Sequence, residues 1–375
     1  MAIYWVISYI LLVFCFFELA TINQLTQPKT KTIVTYFFFI GITILILLAG
    51  MRGPNSGVDD WQYLGFFHDF SRQTSMDGFA AVADVYRYEN VFMLLAWVLS
   101  WFTHESYYFL LFIAFIAVST NAWIFKKYSP LILCSLCLYS AHLFINKDMN
   151  QIRFGLSSAF AVAAICTAAG RRYFLAFVFL LLSSQSQSTG FVTVVVAPFL
   201  FIRERRYFGI MMVFAAIPLG LIGGKKLFLD SLGIVPNLGD RAMAYSGTEF
   251  DAALPVFSLA NFKNIAFIIF FTLVYFRKSL IEEKDRLVYI LLITYSAGAA
   301  IRIIFSDFSI LGGRVGNLFL HTEPLLLAFL MTRIRNPIIN FVLLAGMTTY
   351  YLAYNTLLSV QSVNGYSISP IFKFF

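Results

Sequence analysis

Charge is what this sequence has least of. Only 12% of its 375 residues are Asp, Glu, Lys or Arg, about half the ~25% of a soluble domain. Histidine is scarce too, at four residues. No GxxxxGK[ST] loop is present and no GxGxxG opens a helix after a strand, which excludes nucleotide sites of either design. The four cysteines, Cys15, Cys134, Cys137 and Cys166, all stand in apolar stretches. Cys134 and Cys137 make a CxxC, but no His or further Cys lies near enough to complete a zinc site. They read as packing residues, and no metal or cofactor is implied. The N-terminal stretch lacks a basic region and a small-residue cleavage site, so it is expected to be a retained first span.

Apolar residues take the place of the missing charge. They make up 60% of the chain, with 43 Phe and 20 Tyr, and the mean hydropathy is +0.79. Such a surface faces lipid, and the fold class expected is an all-α polytopic membrane protein. The net charge of +8 does not point to nucleic acid, because the basic residues cluster at helix ends, as the positive-inside bias requires. A helix needs about 20 apolar residues to cross the ~30 Å hydrocarbon core. About ten transmembrane helices are expected, near 3–22, 33–50, 106–125, 131–146, 151–169, 207–222, 262–276, 287–305, 317–331 and 338–358. The pieces 90–103, 173–184 and 190–202 are short enough to be re-entrant or half-membrane helices. The whole, 1–375, reads as a single integral membrane domain with outer loops at about 51–89 and 223–261.

Five basic clusters set the orientation: Lys126-Lys127, Arg171-Arg172, "RERR" at 203–206, "RKSLIEEKDR" at 277–286, and Arg333 with Arg335. An even number of spans separates each neighbouring pair, so all five fall on the cytoplasmic face. If 90–103 dips in and returns, Lys29 and Lys31 join them, and the loop "MRGPNSGVDDWQY" at 51–63 lies outside.

That outer face then collects the unusual polar residues. Arg153 stands just inside a span and is followed by Gly155, Ser157 and Ser158. Small residues let helices approach closely, so Arg153 faces protein or a cavity, unless it snorkels to the interface. Arg314 is bracketed by Gly312, Gly313 and Gly316, which leaves room for a bulky ligand, and His321 and Glu323 follow within two turns. Arg241 and Tyr245 sit in "DRAMAY", which reads as a short surface helix in the long outer loop. Arg52, Asp59 and Asp60 open the 51–63 loop. Several arginines on one membrane face suggest an anionic ligand, because the guanidinium fork pairs with phosphate oxygens and stays charged. A lipid diphosphate is such an anion. Adjacent aspartates can act as a base or hold a metal, or simply form an Asx turn before a helix.

With these pieces in order, the sequence resembles the EpsG-type, Wzy-like polymerases of bacterial surface polysaccharides such as O-antigen and capsule. The matching residues are Arg52, Gly57, Asp59 and Tyr63, then Glu89, then "NQIRFGLS" around Arg153. Arg241 with Tyr245, and "GRVGNLF" around Arg314, complete them. Where the family carries a His followed by small residues, this chain reads "SSQSQSTGF", with Gln187 nearest that position and no histidine. The resemblance implies metal-independent glycosyl transfer on the periplasmic face of the bacterial inner membrane. Donor and acceptor are then undecaprenyl-diphosphate-linked glycans, with a chain-length-regulating membrane protein as a further partner. On that basis Arg153 and Arg314 are expected to bind the diphosphate, with Arg52 and Arg241 behind them. Asp59 is the expected base for the acceptor hydroxyl, with His321 in reserve. Asp60, Tyr63, Gln187, Tyr245 and Glu323 are further candidates.

Two rivals stand beside this reading. A flippase for the same lipid-linked oligosaccharide needs mid-span charges and two related halves, and no internal repeat is visible. A membrane acyltransferase acting on surface glycans needs a histidine-based site on the helices.

Overall fold

In lipid every backbone N–H and C=O must find its partner within the segment, so the apolar runs have little choice but to be helices. The computed structural model describes residues 1–86, 88–202, 205–224, 255–276, 285–334, 336–358 and 364–373. In chain order the principal helices are α1 (Ala2–Ala20), α2 (Pro28–Gly50), α3 (Asp60–Asp77), α4 (Asn90–Ser100) and α5 (Ser106–Tyr128). There follow α6 (Ile132–Tyr139), α7 (Ile152–Ala169), α8 (Tyr173–Ser186), α9 (Phe208–Ile222) and α10 (Leu259–Tyr275). The series closes with α11 (Arg286–Ile304), α12 (Ser309–Leu320), α13 (Glu323–Arg333) and α14 (Pro337–Ala353). Among the described residues the one strand-like feature is an isolated antiparallel bridge between Arg52 and Ile368.

Six helices are long and apolar enough to cross a membrane, or seven if the bent pair Leu311–Leu320 and Glu323–Arg333 is one span. Three of the ten expected spans fall outside that set. The 131–146 run is α6 continued by a π-helix at Ser140–Asp148. The other two are α9 and α10, with 15 and 17 residues, so at ~1.5 Å per residue they reach only about 23–26 Å.

The chain divides into two compact units. The first comprises Met1–Ala164, Phe174–Phe191 and Leu327–Phe375. Within it a Cβ on Gly50 would strike Leu111 of α5, while Lys126, near the far end of α5, covers the Phe39 ring of α2 at 4.7 Å. The two helices therefore run antiparallel. The intervening segment 51–105 leaves and returns at the same end, and α4, at 11 residues, is shorter than a crossing helix. A dense aromatic cluster built on Phe66, Phe67, Phe70, Phe92 and Phe109 holds α3, α4 and the start of α5 together.

Helix α1 runs antiparallel to both α6 and α14. Ser8 meets Ser140 at 3.3 Å and the Glu18 carboxylate accepts from the Leu133 N–H. Along α14, Trp5 donates to Thr356 and Phe16 packs edge-on against Phe341. One end of the unit thus gathers the 51–59 loop, α3, Asp148 and the start of α7. The opposite end carries Lys29, Lys31, Lys126, Lys127 and Arg333.

The second unit comprises Ile165–Tyr173 and Val192–Leu326. Its α9 and α11 run parallel, with Gly209 against Ser296 and Gly220 against the Ile303 carbonyl. Helix α12 turns back on α11, where Gly298 and Gly316 bring the two backbones into contact.

Candidate active site

Candidate side chains cluster at the end of the first unit where α2 stops and α7 begins. Arg52 follows α2 directly and is fully buried. Its Nε donates to Asp60 Oδ1 at 2.9 Å, and its Nη1 donates to the carbonyls of Ala49 and Asp148. The Gly57 N–H donates to the other Asp60 oxygen at 2.6 Å, so Asp60 closes the loop on itself. A Cβ on Gly57 would run into the Met149 carbonyl oxygen, and only glycine fits that approach. Asn150 finishes the corner by accepting the N–H groups of Val58 and Asp59 through its Oδ1.

The chain's C-terminal segment clasps this loop from the other side. The Gly53 N–H donates to the Ser367 carbonyl, the Ser369 N–H to that of Met51 and the Asn364 N–H to that of Ser56. Arg52 and Asp60 therefore hold the loop, while Asp59, half-buried at the N-cap of α3, is the more accessible of the two aspartates.

One helical turn along α3, Tyr63 lies deep in the aromatic cluster. Burial pushes its phenol up to about 12, with the Arg153 charge acting against this and Asp59 with it. Tyr63 is thus a neutral hydroxyl at any working pH, between a carboxylate and a guanidinium. Arg153 sits in the first turn of α7, about one-fifth exposed, and donates through Nη1 to Glu89 Oε2 at 2.8 Å. Its guanidinium lies 4.5 Å over the Tyr88 ring, a further attraction for a cation. Its Nε is buried with no partner in the protein.

The second Glu89 oxygen accepts from the Ser188 N–H at 3.0 Å. This ties the turn after α8, where Gln187 lies, to the same corner. Gln187 is largely buried and its Oε1 has no partner. The small residues after Arg153 each have a close neighbour. Ser157 and Ser183 exchange hydrogen bonds at 2.8–2.9 Å, Ser158 accepts from Lys147, and Gly155 leaves room for the Asp148 carboxylate.

The second unit holds the other candidates. Glu323 is buried and accepts from Lys263 Nζ at 3.0 and 3.2 Å, and Tyr295 takes a further Lys263 hydrogen bond at 3.1 Å. His321 is also buried, at 1% exposure. Arg314 lies half-buried in the middle of α12. The glycines around it serve different ends from the ligand access expected of them. Gly312 packs on the Phe305 carbonyl and Gly316 on the stem of Arg302, so only Gly313 faces open space. Arg302 then donates to Asn317 at 2.7 Å. Arg241 and Tyr245 lie outside the described residues. Among the described residues no group of three or more His, Cys, Asp or Glu converges as a metal site would.

Sequence reasoning named Glu89 only as a family match without a role, and left Lys147, Lys263 and Arg302 out of the site. Their signal was a lone charge within or beside an apolar run, which marks function by default in a membrane protein. What it could not supply was the partner of each.

A family model described as the EpsG family matches residues 35–370. The amylovoran biosynthesis protein AmsC of Erwinia amylovora is 70% identical over 375 residues, covering the whole of both chains. No solved structure matches the chain.

Proposed function

The chain belongs to the EpsG family, and from that premise we propose that it is a polysaccharide polymerase of the Wzy-like kind. It joins undecaprenyl-diphosphate-linked repeat units by glycosyl transfer. The similarity to a protein of amylovoran biosynthesis supports a substrate that is an exported bacterial polysaccharide.

The observation that carries the reading is the corner formed by Asp59, Tyr63, Glu89 and Arg153, at the end of the first unit opposite Lys29, Lys31, Lys126, Lys127 and Arg333. By the positive-inside bias the basic end faces the cytoplasm, which puts the corner on the periplasmic face of the inner membrane. A full complement of about ten crossings, with α6, α9 and α10 among them, completes this topology.

In the reaction, the acceptor hydroxyl oxygen forms a bond to the anomeric carbon of the donor. The bond from that carbon to the diphosphate oxygen breaks, and its electron pair leaves with the diphosphate. Asp59 takes the hydroxyl proton. Arg153, held in place by Glu89 and Tyr88, stabilises the negative charge that grows on the leaving group, which is where preorganised donors contribute most. Arg314 is the corresponding cation proposed in the second unit. Arg52 and Asp60 order the loop that presents Asp59. Gln187 can meet a sugar hydroxyl, and His321 remains a reserve base.

The test is direct. Purified protein given undecaprenyl-diphosphate repeat units in detergent should yield a ladder of longer glycans. Intact protein that forms no ladder from the correct repeat unit would refute the polymerase reading.

A further inference from the structure

Between α2 and α3 the loop 51–59 forms no helix, so its backbone groups need partners from elsewhere in the protein. Residues 364–372 supply several of them. The antiparallel bridge pairs Arg52 with Ile368, and two hydrogen bonds flank it. The Gly53 N–H donates to the Ser367 carbonyl at 2.7 Å, and the Ser369 N–H to the Met51 carbonyl at 2.9 Å. The Asn364 N–H reaches the Ser56 carbonyl at 2.9 Å, and the Ser367 N–H reaches Ser56 Oγ at 3.2 Å. A Cβ on Gly53 would strike Ser367 Oγ, so the two segments meet without a gap. The segment is anchored in turn by Tyr366, edge-on to Tyr4 at 6.2 Å, and by Phe372, edge-on to Tyr108 at 5.6 Å.

The consequence falls on Arg52. It stands in a loop just past a helix end, yet its side chain and that of Asp60 are both 0% exposed. Ile368 is its partner in the bridge, and Ser369 is bonded to the residue before it. An ion pair kept from water is far stronger than an exposed one. From that pair a short series of contacts leads to the proposed base. Arg52 holds Asp60 at 2.9 Å, Asp60 holds the Gly57 N–H at 2.6 Å, and Asp59 lies between Gly57 and Asp60 in the chain.

We propose that residues 364–372 are a positioning strap for catalysis. By sealing the Arg52–Asp60 pair from water they fix the loop that presents Asp59, with Ser56, Ser367 and Ser369 as positioning residues. The proposal rests on the polymerase reading above. Asn150 holds the Val58 and Asp59 N–H groups from the other side, and the helices pack on one another without the strap. The strap therefore governs the order of the loop rather than the fold of the unit. Loosening it lowers kcat and leaves KM and the melting temperature nearly as they were.

The experiment uses the full-length protein and one backbone hydrogen bond. Ser369 has φ −56°, which a proline ring accepts, and Ile368 before it is extended in the bridge, as a residue preceding proline should be. Ser369→Pro therefore keeps the backbone path and removes the N–H that reaches Met51. Ser369→Ala is the reference, because it keeps that N–H and its lost hydroxyl has no partner. Ser56→Ala, which removes the acceptor of the Ser367 N–H, is the second variant. Against the reference, Ser369→Pro should lower kcat for ladder formation at least about tenfold, since misplacing a reacting group by ~1 Å can cost about a hundredfold. KM for the repeat unit should hold. Hydrogen–deuterium exchange should quicken in the peptide covering 51–59 and not in α1, α2 or α5, as local opening requires.

Unchanged kcat, unchanged exchange of 51–59, or a rise in KM with kcat kept overturns the proposal. Exchange that quickens throughout the unit, or loss of folded protein in both Ser369→Pro and Ser56→Ala, overturns it too, because the segment is then part of the general fold. Exchange requires no turnover, so the two readings fail separately. A local exchange contrast in protein that forms no glycan ladder removes the polymerase reading and leaves the seal standing. A ladder formed equally well by Ser369→Pro and its reference removes the strap alone.

Discussion

Glu89 and Arg153 stand 64 positions apart in the chain and 2.8 Å apart in space. Each does more than neutralise the other. Glu89 uses its second oxygen to hold the Ser188 backbone, and Arg153 keeps its Nε unpartnered in a buried position over the Tyr88 ring. The pair is a positioned cation with donor capacity left over.

From this follows a contrast between substitutions. Arg153→Lys keeps the charge but loses the planar fork, and glycan ladder formation should fall at least about tenfold, since the two cations are not interchangeable at such a site. Glu89→Gln keeps a hydrogen-bond acceptor and should cost activity less. Each change leaves a polar group in the pair, which is about four-fifths buried, so the melting temperature in detergent should fall less than activity does. Parallel turnover and melting measurements check this.

The two adjacent aspartates should separate cleanly. Asp60→Asn strips the charge partner from Arg52, which is fully buried, and a buried pair broken on one side costs about 3–5 kcal/mol. Poor expression or a much lower melting temperature is expected. Asp59→Asn should instead fold normally and lose ladder formation. A stable, active Asp60→Asn protein would sink the structural role given to that residue.

Glycine substitutions give a second contrast. Gly57→Ala drives a methyl into the Met149 carbonyl and to within 2.9 Å of Asp60 Oδ1, an overpacking of about 1–3 kcal/mol. At Gly313 a Cβ meets nothing within 4 Å, and the residue is inside α12. Gly313→Ala should therefore be neutral or up to about 1 kcal/mol stabilising. Denaturation of the two variants side by side decides it.

In the second unit, Lys263→Met should destabilise by leaving the Glu323 carboxylate, which is 1% exposed, without its cation. Adding Glu323→Gln should recover most of the loss, because the uncompensated charge rather than the missing attraction is the larger cost. A double-mutant cycle on melting midpoints measures the coupling. Strict additivity would mean that the two groups do not act as a pair.

Much of the architecture was legible in the sequence because lipid leaves few options. Apolar runs of 18 residues or more became helices, including α1, α2, α5 and α11. The shortness of the 90–103 piece was legible too, since its helix has 11 residues, fewer than the ~17 a crossing needs. The site was legible in part. Arg153 and Asp59 stood out as polar residues at span ends, and Gly57 as a glycine inside a charged loop. The glycines around Arg314 misled, because a glycine that admits a ligand and one that admits a neighbouring helix look the same in sequence. Only the approach of Arg302 and Phe305 distinguishes them.

Composition and periodicity by themselves determined that the chain lives in a membrane, is helical, and keeps its cations mainly at helix ends. Those properties depend on transfer free energies that each segment meets almost independently of the others. Which aspartate holds Arg52, which carboxylate steadies Arg153, and that the C-terminal segment clasps the opening loop were decided only in three dimensions. Those pairings join residues as far apart as Gly53 and Ser367. A hydrogen bond requires its partners within about 3 Å, a condition that no local pattern encodes and that only the packing of all the helices of the unit can meet.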